Sequence, residues 1–140
     1  MGVCTGNSRG VCDTMTKAEA LHEFWSSFGL KAYDAYSVPT GDNLPDLPYI
    51  TYNVQTDSIG AILLLNGSLW YGSSSWKDVE AKAQEIAKAI GENGYVIKDV
   101  DGGYVWIKKG NPFAQRMSDE GDRMVRRVYL NITVEFLTAY

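Results

Sequence analysis

Residues 127–136 read Arg-Val-Tyr-Leu-Asn-Ile-Thr-Val-Glu-Phe, an unbroken period of two. Successive side chains of a strand point to opposite faces. Val128, Leu130, Ile132, Val134 and Phe136 therefore share one face, and Arg127, Tyr129, Asn131, Thr133 and Glu135 share the other. This is a half-buried antiparallel strand. It commits the chain to a sheet that is packed on one side and meets water on the other. Such a sheet needs a cover, and the rest of the sequence supplies one.

Two segments have helical period. Thr16 followed by Glu19 forms a capping box, and Leu21, Phe24, Trp25 and Phe28 then fall on one face. The spacing predicts a helix over 16–28, ended at Gly29 by a left-handed cap. A second helix begins after Ser73-Ser74-Ser75, with Ser75 as its expected cap. Val79, Ala83, Ile86, Ala87 and Ile90 form its apolar stripe. Asp78 and Glu80 near its start and Lys88 near its end suit the helix dipole, and Gly91 closes it.

The remaining strands are read from β-branched and aromatic runs between turn residues. Tyr49–Val54 is one. Ala61–Leu65 and Ser68–Tyr71 form another, taken as a single long strand with a bulge at Asn66-Gly67 rather than as a hairpin. Tyr95–Val100 and Tyr104–Lys108 are joined through Asp101-Gly102-Gly103, a strong hairpin signal. Gly110-Asn111-Pro112 is expected to end the second arm. Residues 30–48 and 113–124 read as long loops, of the kind that is functional or orders on a partner. The order is α-β-β-α-β-β-β. The fold class is α+β: one domain, a mostly antiparallel sheet with two helices packed on one face. The 140 residues leave room for one domain. Residues 1–14 are polar, Gly-rich and without period, and read as a flexible N-terminal extension to a domain spanning 15–140. Deleting residues 1–14 should leave the melting temperature nearly unchanged.

Charge and composition narrow the function. Thirteen Lys+Arg against seventeen Asp+Glu give a net charge of −4. That excludes a generally basic nucleic-acid binder but not a local basic patch. No apolar run approaches a membrane span, and no secretory signal is apparent. Cys4 and Cys12 lack zinc spacing, and one histidine leaves little for a metal site. No cofactor or metal is expected.

The candidates for chemistry are sparse. His22 has no nucleophile nearby in sequence and reads as a solvated helix-surface residue. Asp99 and Asp101 are paired carboxylates beside a Gly-Gly turn, where Asp is a turn former. The serine run at the second helix start lacks the lysine of a P-loop. Asn66-Gly67-Ser68 and Asn131-Ile132-Thr133 match the glycosylation triplet, but nothing in the sequence marks secretion. Two clusters remain. Arg116, Arg123, Arg126 and Arg127 are four of the five arginines, interleaved with Asp119, Glu120 and Asp122. Aromatic residues including Trp70, Trp106 and Phe113 crowd the middle of the chain. Trp, Tyr and Arg are enriched at interfaces. The candidate interface is therefore Trp70, Trp106, Phe113, Arg116, Arg123, Arg126 and Arg127. No catalytic residue is expected.

The chain resembles the small tail-terminator (tail-completion) and head–tail joining proteins of long-tailed bacteriophages and prophages. The resemblance runs over residues 15–140. It rests on the opening helix with Phe24-Trp25, then Leu47-Pro48-Tyr49-Ile50-Thr51-Tyr52 and Leu69-Trp70-Tyr71. The serine run entering Trp76-Lys77-Asp78, then Gly103-Tyr104-Val105-Trp106-Ile107, Asn111-Pro112-Phe113 and the final alternating strand complete it. It implies a non-enzymatic virion assembly protein of the tail, assembled in the bacterial host cytoplasm. Such proteins form a homo-oligomeric ring, commonly a hexamer, on the head-proximal end of the tail tube. The implied partners are the tail tube protein and a head-completion or connector protein, with DNA passing the lumen without sequence specificity and no membrane. The competing readings are a connector at the same interface, a monomeric binding or regulatory module, and, least favoured, a small hydrolase built on His22.

Overall fold

The capping box forms as the sequence requires. The Thr16 hydroxyl accepts from the Glu19 backbone at 3.1 Å, and the Glu19 carboxylate accepts from the Thr16 backbone at 3.0 Å. The helix it opens, α1 (Lys17–Ser26), buries Ala20, Leu21, Phe24 and Trp25, and Gly29 follows at φ 81°. These coordinates belong to a computed structural model that describes residues 15–117 and 124–140. The expected extension 1–14, Cys4, Cys12 and Arg123 lie outside the described residues.

Six strands form one sheet: β1 (Lys31–Asp34), β2 (Tyr49–Tyr52), β3 (Ile62–Gly72), β4 (Tyr95–Val100), β5 (Gly103–Met117) and β6 (Val125–Leu137), in the spatial order β1-β2-β3-β6-β5-β4. All neighbours are antiparallel except β1 and β2, which are parallel. The second helix, α2 (Lys77–Ile90), buries Val79, Ala83, Ile86 and Ile90. Both helices cover the face on which Ile50, Leu65, Leu69, Val105, Ile107 and the even-numbered residues 128–136 of β6 lie. Lys82 of α2 donates to the Phe28 carbonyl at 2.8 Å, which ties one helix to the end of the other. The architecture is the α+β single sheet, packed on one side, that the sequence implies.

Four local readings change. Residues 30–48 are not all loop, since Lys31–Asp34 pairs with Tyr49–Tyr52 and a 3-10 turn forms at Gly41–Asn43. The long β3 is continuous, but without a bulge: its register with β6 runs unbroken from Ile62 opposite Glu135 to Gly72 opposite Val125. Gly67 is there for space. A Cβ on it would lie 2.7 Å from the Trp25 ring.

The irregularity falls in β5 instead, between Lys109 and Ala114. Gly110-Asn111-Pro112 interrupts the strand and does not end it, so residues 113–117 are strand rather than loop. Asn131 holds this detour, its side-chain amide donating to the Pro112 carbonyl at 2.9 Å and to Gln115 at 3.2 Å. Finally, the cap of α2 is Trp76, one residue later than expected. Ser75 still serves the helix start, its hydroxyl accepting from the Lys77 backbone at 3.1 Å.

The hairpin turn is as read. Val100 pairs with Gly103 across Asp101-Gly102, both at positive φ of 43° and 77°, the type I′ geometry that Asp-Gly favours. Met15 docks here. Its backbone nitrogen donates to the Asp99 carbonyl at 3.0 Å, and the Asp101 nitrogen donates to the Met15 carbonyl at 3.2 Å. Lys17 pairs with Asp101 at 3.6 Å and bonds the Tyr140 carbonyl. The Asp99 and Asp101 backbones thus dock Met15, and the Asp101 carboxylate pairs with Lys17.

Candidate functional site

Among the described residues no helix covers the face of the sheet opposite α1 and α2. Alternation and register place Tyr33 of β1, Tyr49 and Thr51 of β2, Ser68 and Trp70 of β3, and Arg127 and Tyr129 of β6 upon it. These side chains lean on one another across four strands. Tyr33 meets Tyr49 edge-on with ring centroids 5.9 Å apart, and Tyr49 stacks against Trp70 at 6.3 Å. The Trp70 indole N–H donates to the Thr51 hydroxyl at 2.8 Å, which fixes the ring's angle.

Arg127 closes the row. Its guanidinium carbon lies 4.6 Å from the Trp70 ring centroid and 5.7 Å from that of Tyr129. Its Nε donates to the buried Ser68 hydroxyl at 3.0 Å. No carboxylate pairs with it among the described residues. A guanidinium held by two rings and a hydroxyl has lost rotamer freedom before any partner arrives. Burial and the charge of Tyr33 push the Tyr49 phenol up, so it stays protonated through neutral pH.

The face is also apolar and cationic beyond this row. Ile62, Leu64, Val96 and Tyr104 are exposed large side chains on it. Trp106 stands there too, its indole N–H donating to the Asn93 carbonyl at 2.7 Å and its ring 3.7 Å from Lys108 Nζ. Along the paired rows the cations are Lys31, Lys98, Lys108 and Arg127, and the acid is Glu135. In a chain of net charge −4 this is a local inversion of sign. The sequence left a local basic patch open, and the strand period assigns Arg127 and Tyr129 to one face. The lysines come from three separate strands, and only the register brings them together.

The structure divides the other candidates. Arg116 and Arg126 lie on the helix side and bracket Trp76, with guanidinium carbons 4.9 and 5.3 Å from its ring. Arg116 pairs with Glu80 at 2.6 Å, which holds the Glu80 carboxyl below the usual range. Arg126 donates to the Ser74 carbonyl at 2.8 Å. Both arginines thus hold the start of α2 to the sheet. Phe113 packs against the core and lines a hollow of about 260 Å³ with Ala83, Ala87 and Val128.

His22 is exposed on the surface of α1, as the sequence implies, and its ring also makes two contacts. Its Nδ1 lies 2.7 Å from the Tyr52 hydroxyl and its Nε2 lies 3.2 Å from Ser26 Oγ. A hydroxyl one helical turn on is a neighbour that i, i+4 spacing could have found. Burial and then the charge of Asp34 push the Tyr52 phenol up. Where Nδ1 accepts the Tyr52 proton, Nε2 carries the ring proton and donates to Ser26. In that tautomer the ring does not accept the Ser26 proton, as a serine nucleophile would need.

No protein-family model matches the sequence, and no curated protein matches it. Among solved structures, a chain of the virion of a native gene transfer agent particle is similar at 19% identity. The match covers 82% of each chain, with a TM-score of 0.45.

Proposed function

We propose that the protein is a non-enzymatic assembly protein of a phage or prophage virion, which caps the head-proximal end of the tail tube as a ring and offers the head its docking surface. The observation that carries this reading is the uncovered sheet face with its row Tyr33, Tyr49, Trp70, Arg127 and Tyr129. Arg, Trp and Tyr are the residues that dominate interface energetics. Half-exposed rings beside a cation without a carboxylate suit a partner better than they suit water. The capped opening helix and the final alternating strand, on which the resemblance partly rests, both form. The Ser26–His22–Tyr52 bonds join α1 to β2.

Two measurements test the reading. Native mass spectrometry across protein and salt concentrations should show a discrete closed species such as a hexamer, formed alone or on addition of tail tubes. Purified tubes should bind the protein at one end. Binding to portal-bearing heads but not to tubes would move it to the connector role, and binding to neither would refute both.

A further inference from the structure

The loop over residues 35–48 is the chemical counterpart of the open face. It contains no lysine or arginine, and its charges are Asp42 and Asp46. Both are exposed, and neither is ion-paired among the described residues. Three large apolar side chains also face water here: Tyr36 at 94% exposure, Leu44 at 59% and Leu47 at 38%. The loop is an anionic and apolar projection, and the sheet face is a cationic and aromatic one. Within one chain Leu47 rests against Gly72 at the edge of that face, but among the described residues neither Asp42 nor Asp46 pairs with Arg127. The loop lies over the β1 end of the sheet, where Leu44, Pro45 and Asp46 form a hollow with Leu30 and Tyr33. Arg127 stands on β6, two strands from β2, which the loop enters, or roughly 10 Å at ordinary strand spacing.

We infer that the loop over residues 35–48 of one copy docks on the Trp70–Arg127 region of the open sheet face of a second copy, with Asp42 or Asp46 supplying the carboxylate that Arg127 lacks. The contact joins two different patches. It is therefore heterologous, and repeating it closes a ring or extends a filament. It also gives exposed Leu44 and Leu47 an aromatic surface to cover. The inference rests on the self-assembling reading above and names the two surfaces that meet.

A charge exchange tests it. Arg127→Glu makes the face repel the loop, and Asp42→Lys with Asp46→Lys makes the loop repel the face. Each variant alone should raise the concentration for half-assembly at least about thirtyfold, the scale of a close charge pair broken at an interface. Mixed at equal amounts, the two inert variants should assemble again, strictly alternating. The wild-type loop of one then meets the wild-type face of the other, and the two reversed surfaces meet in turn. Native mass spectrometry reads the alternation directly. A Leu44→Ser variant, altered only at an exposed position, should weaken assembly without lowering the unfolding midpoint. That guards against an Arg127→Glu chain that simply folds poorly.

Failure of the mixture to assemble, or variants that assemble like wild type, would overturn the contact. So would a wild-type chain that stays monomeric at millimolar concentration both with and without tail tubes. Tube binding is scored separately. Wild type that caps tubes while the exchange fails would sink the contact and leave the function standing. Alternating assembly without tube binding would do the reverse.

Discussion

Replacing Gly67 by alanine should destabilise the protein, although alanine is the better strand residue. The added carbon lies 2.7 Å from Trp25 Cη2 and 3.0 Å from Cζ2 and Cζ3. Carbon atoms rest about 3.5–4.0 Å apart, so the indole must retreat by roughly 1 Å. It has nowhere free to go. Trp25 is fully buried, with Phe24 edge-on at 5.0 Å and Tyr52 stacked at 6.2 Å. Overpacking of this kind costs about 1–3 kcal/mol, while the alanine recovers up to about 1 kcal/mol of backbone entropy. The net expectation is a loss of about 1–2 kcal/mol. Urea unfolding followed by tryptophan fluorescence and far-ultraviolet dichroism measures it, as a lower midpoint at unchanged slope. Trp25→Leu supplies the control. Alone it should cost about 2–5 kcal/mol. In its presence the Gly67→Ala methyl enters vacated space, so the double variant should lose at least about 1 kcal/mol less than the sum. A Gly67→Ala protein as stable as wild type, or strictly additive losses, would refute the argument from space.

Three further outcomes are expected. Glu19, bonded to the Thr16 backbone, and Glu80, bonded to Arg116, both titrate below the ordinary value of 4.5. Their contributions to stability are whole above that pH and fade as pH falls through the lowered values. Glu19→Gln with Glu80→Gln should therefore flatten the acid limb of a melting-temperature profile, and an unchanged limb would contradict the two bonds. A chain starting at Met15 should melt within about 2 °C of the full chain, whereas one starting at Ala18 should melt several degrees lower, since it loses the Met15 backbone bonds and the Lys17 contacts. Asn131→Ala should cost about 1–2 kcal/mol and speed amide exchange in residues 110–115, because it removes the two bonds that hold the β5 detour.

What was legible in the sequence is what local chemistry decides. The capping box, the Asp-Gly turn and the period of residues 127–136 each rest on residues within a few positions of one another. The structure reproduces all three. What was missed depends on partners far along the chain. Lys31–Asp34 is too short and mixed to read as a strand, and becomes one only by pairing with Tyr49–Tyr52. Gly67 in an apolar run reads as a bulge, because sequence alone does not show an indole from α1 standing over it. Gly110-Asn111-Pro112 has the composition of a terminator. The strand survives it because β6 is long enough to resume pairing beyond, at Leu130 with Ala114.

The arginine cluster shows why a candidate interface cannot be taken whole from sequence. Arg126 and Arg127 are adjacent, so a strand must send them to opposite faces. Arg126 goes to the helix side, where it and Arg116 hold Trp76. Arg127 goes to the open side, against Trp70 and Tyr129, with no carboxylate paired to it among the described residues. The same one-residue step separates a side chain that fastens α2 from one left for a partner. Truncating Arg126 would therefore disturb assembly by loosening the fold, and truncating Arg127 would disturb it at the contact itself. A charge reversal at both positions at once would confound the two effects. Any test of the interface has to change Arg127 alone and follow stability beside assembly.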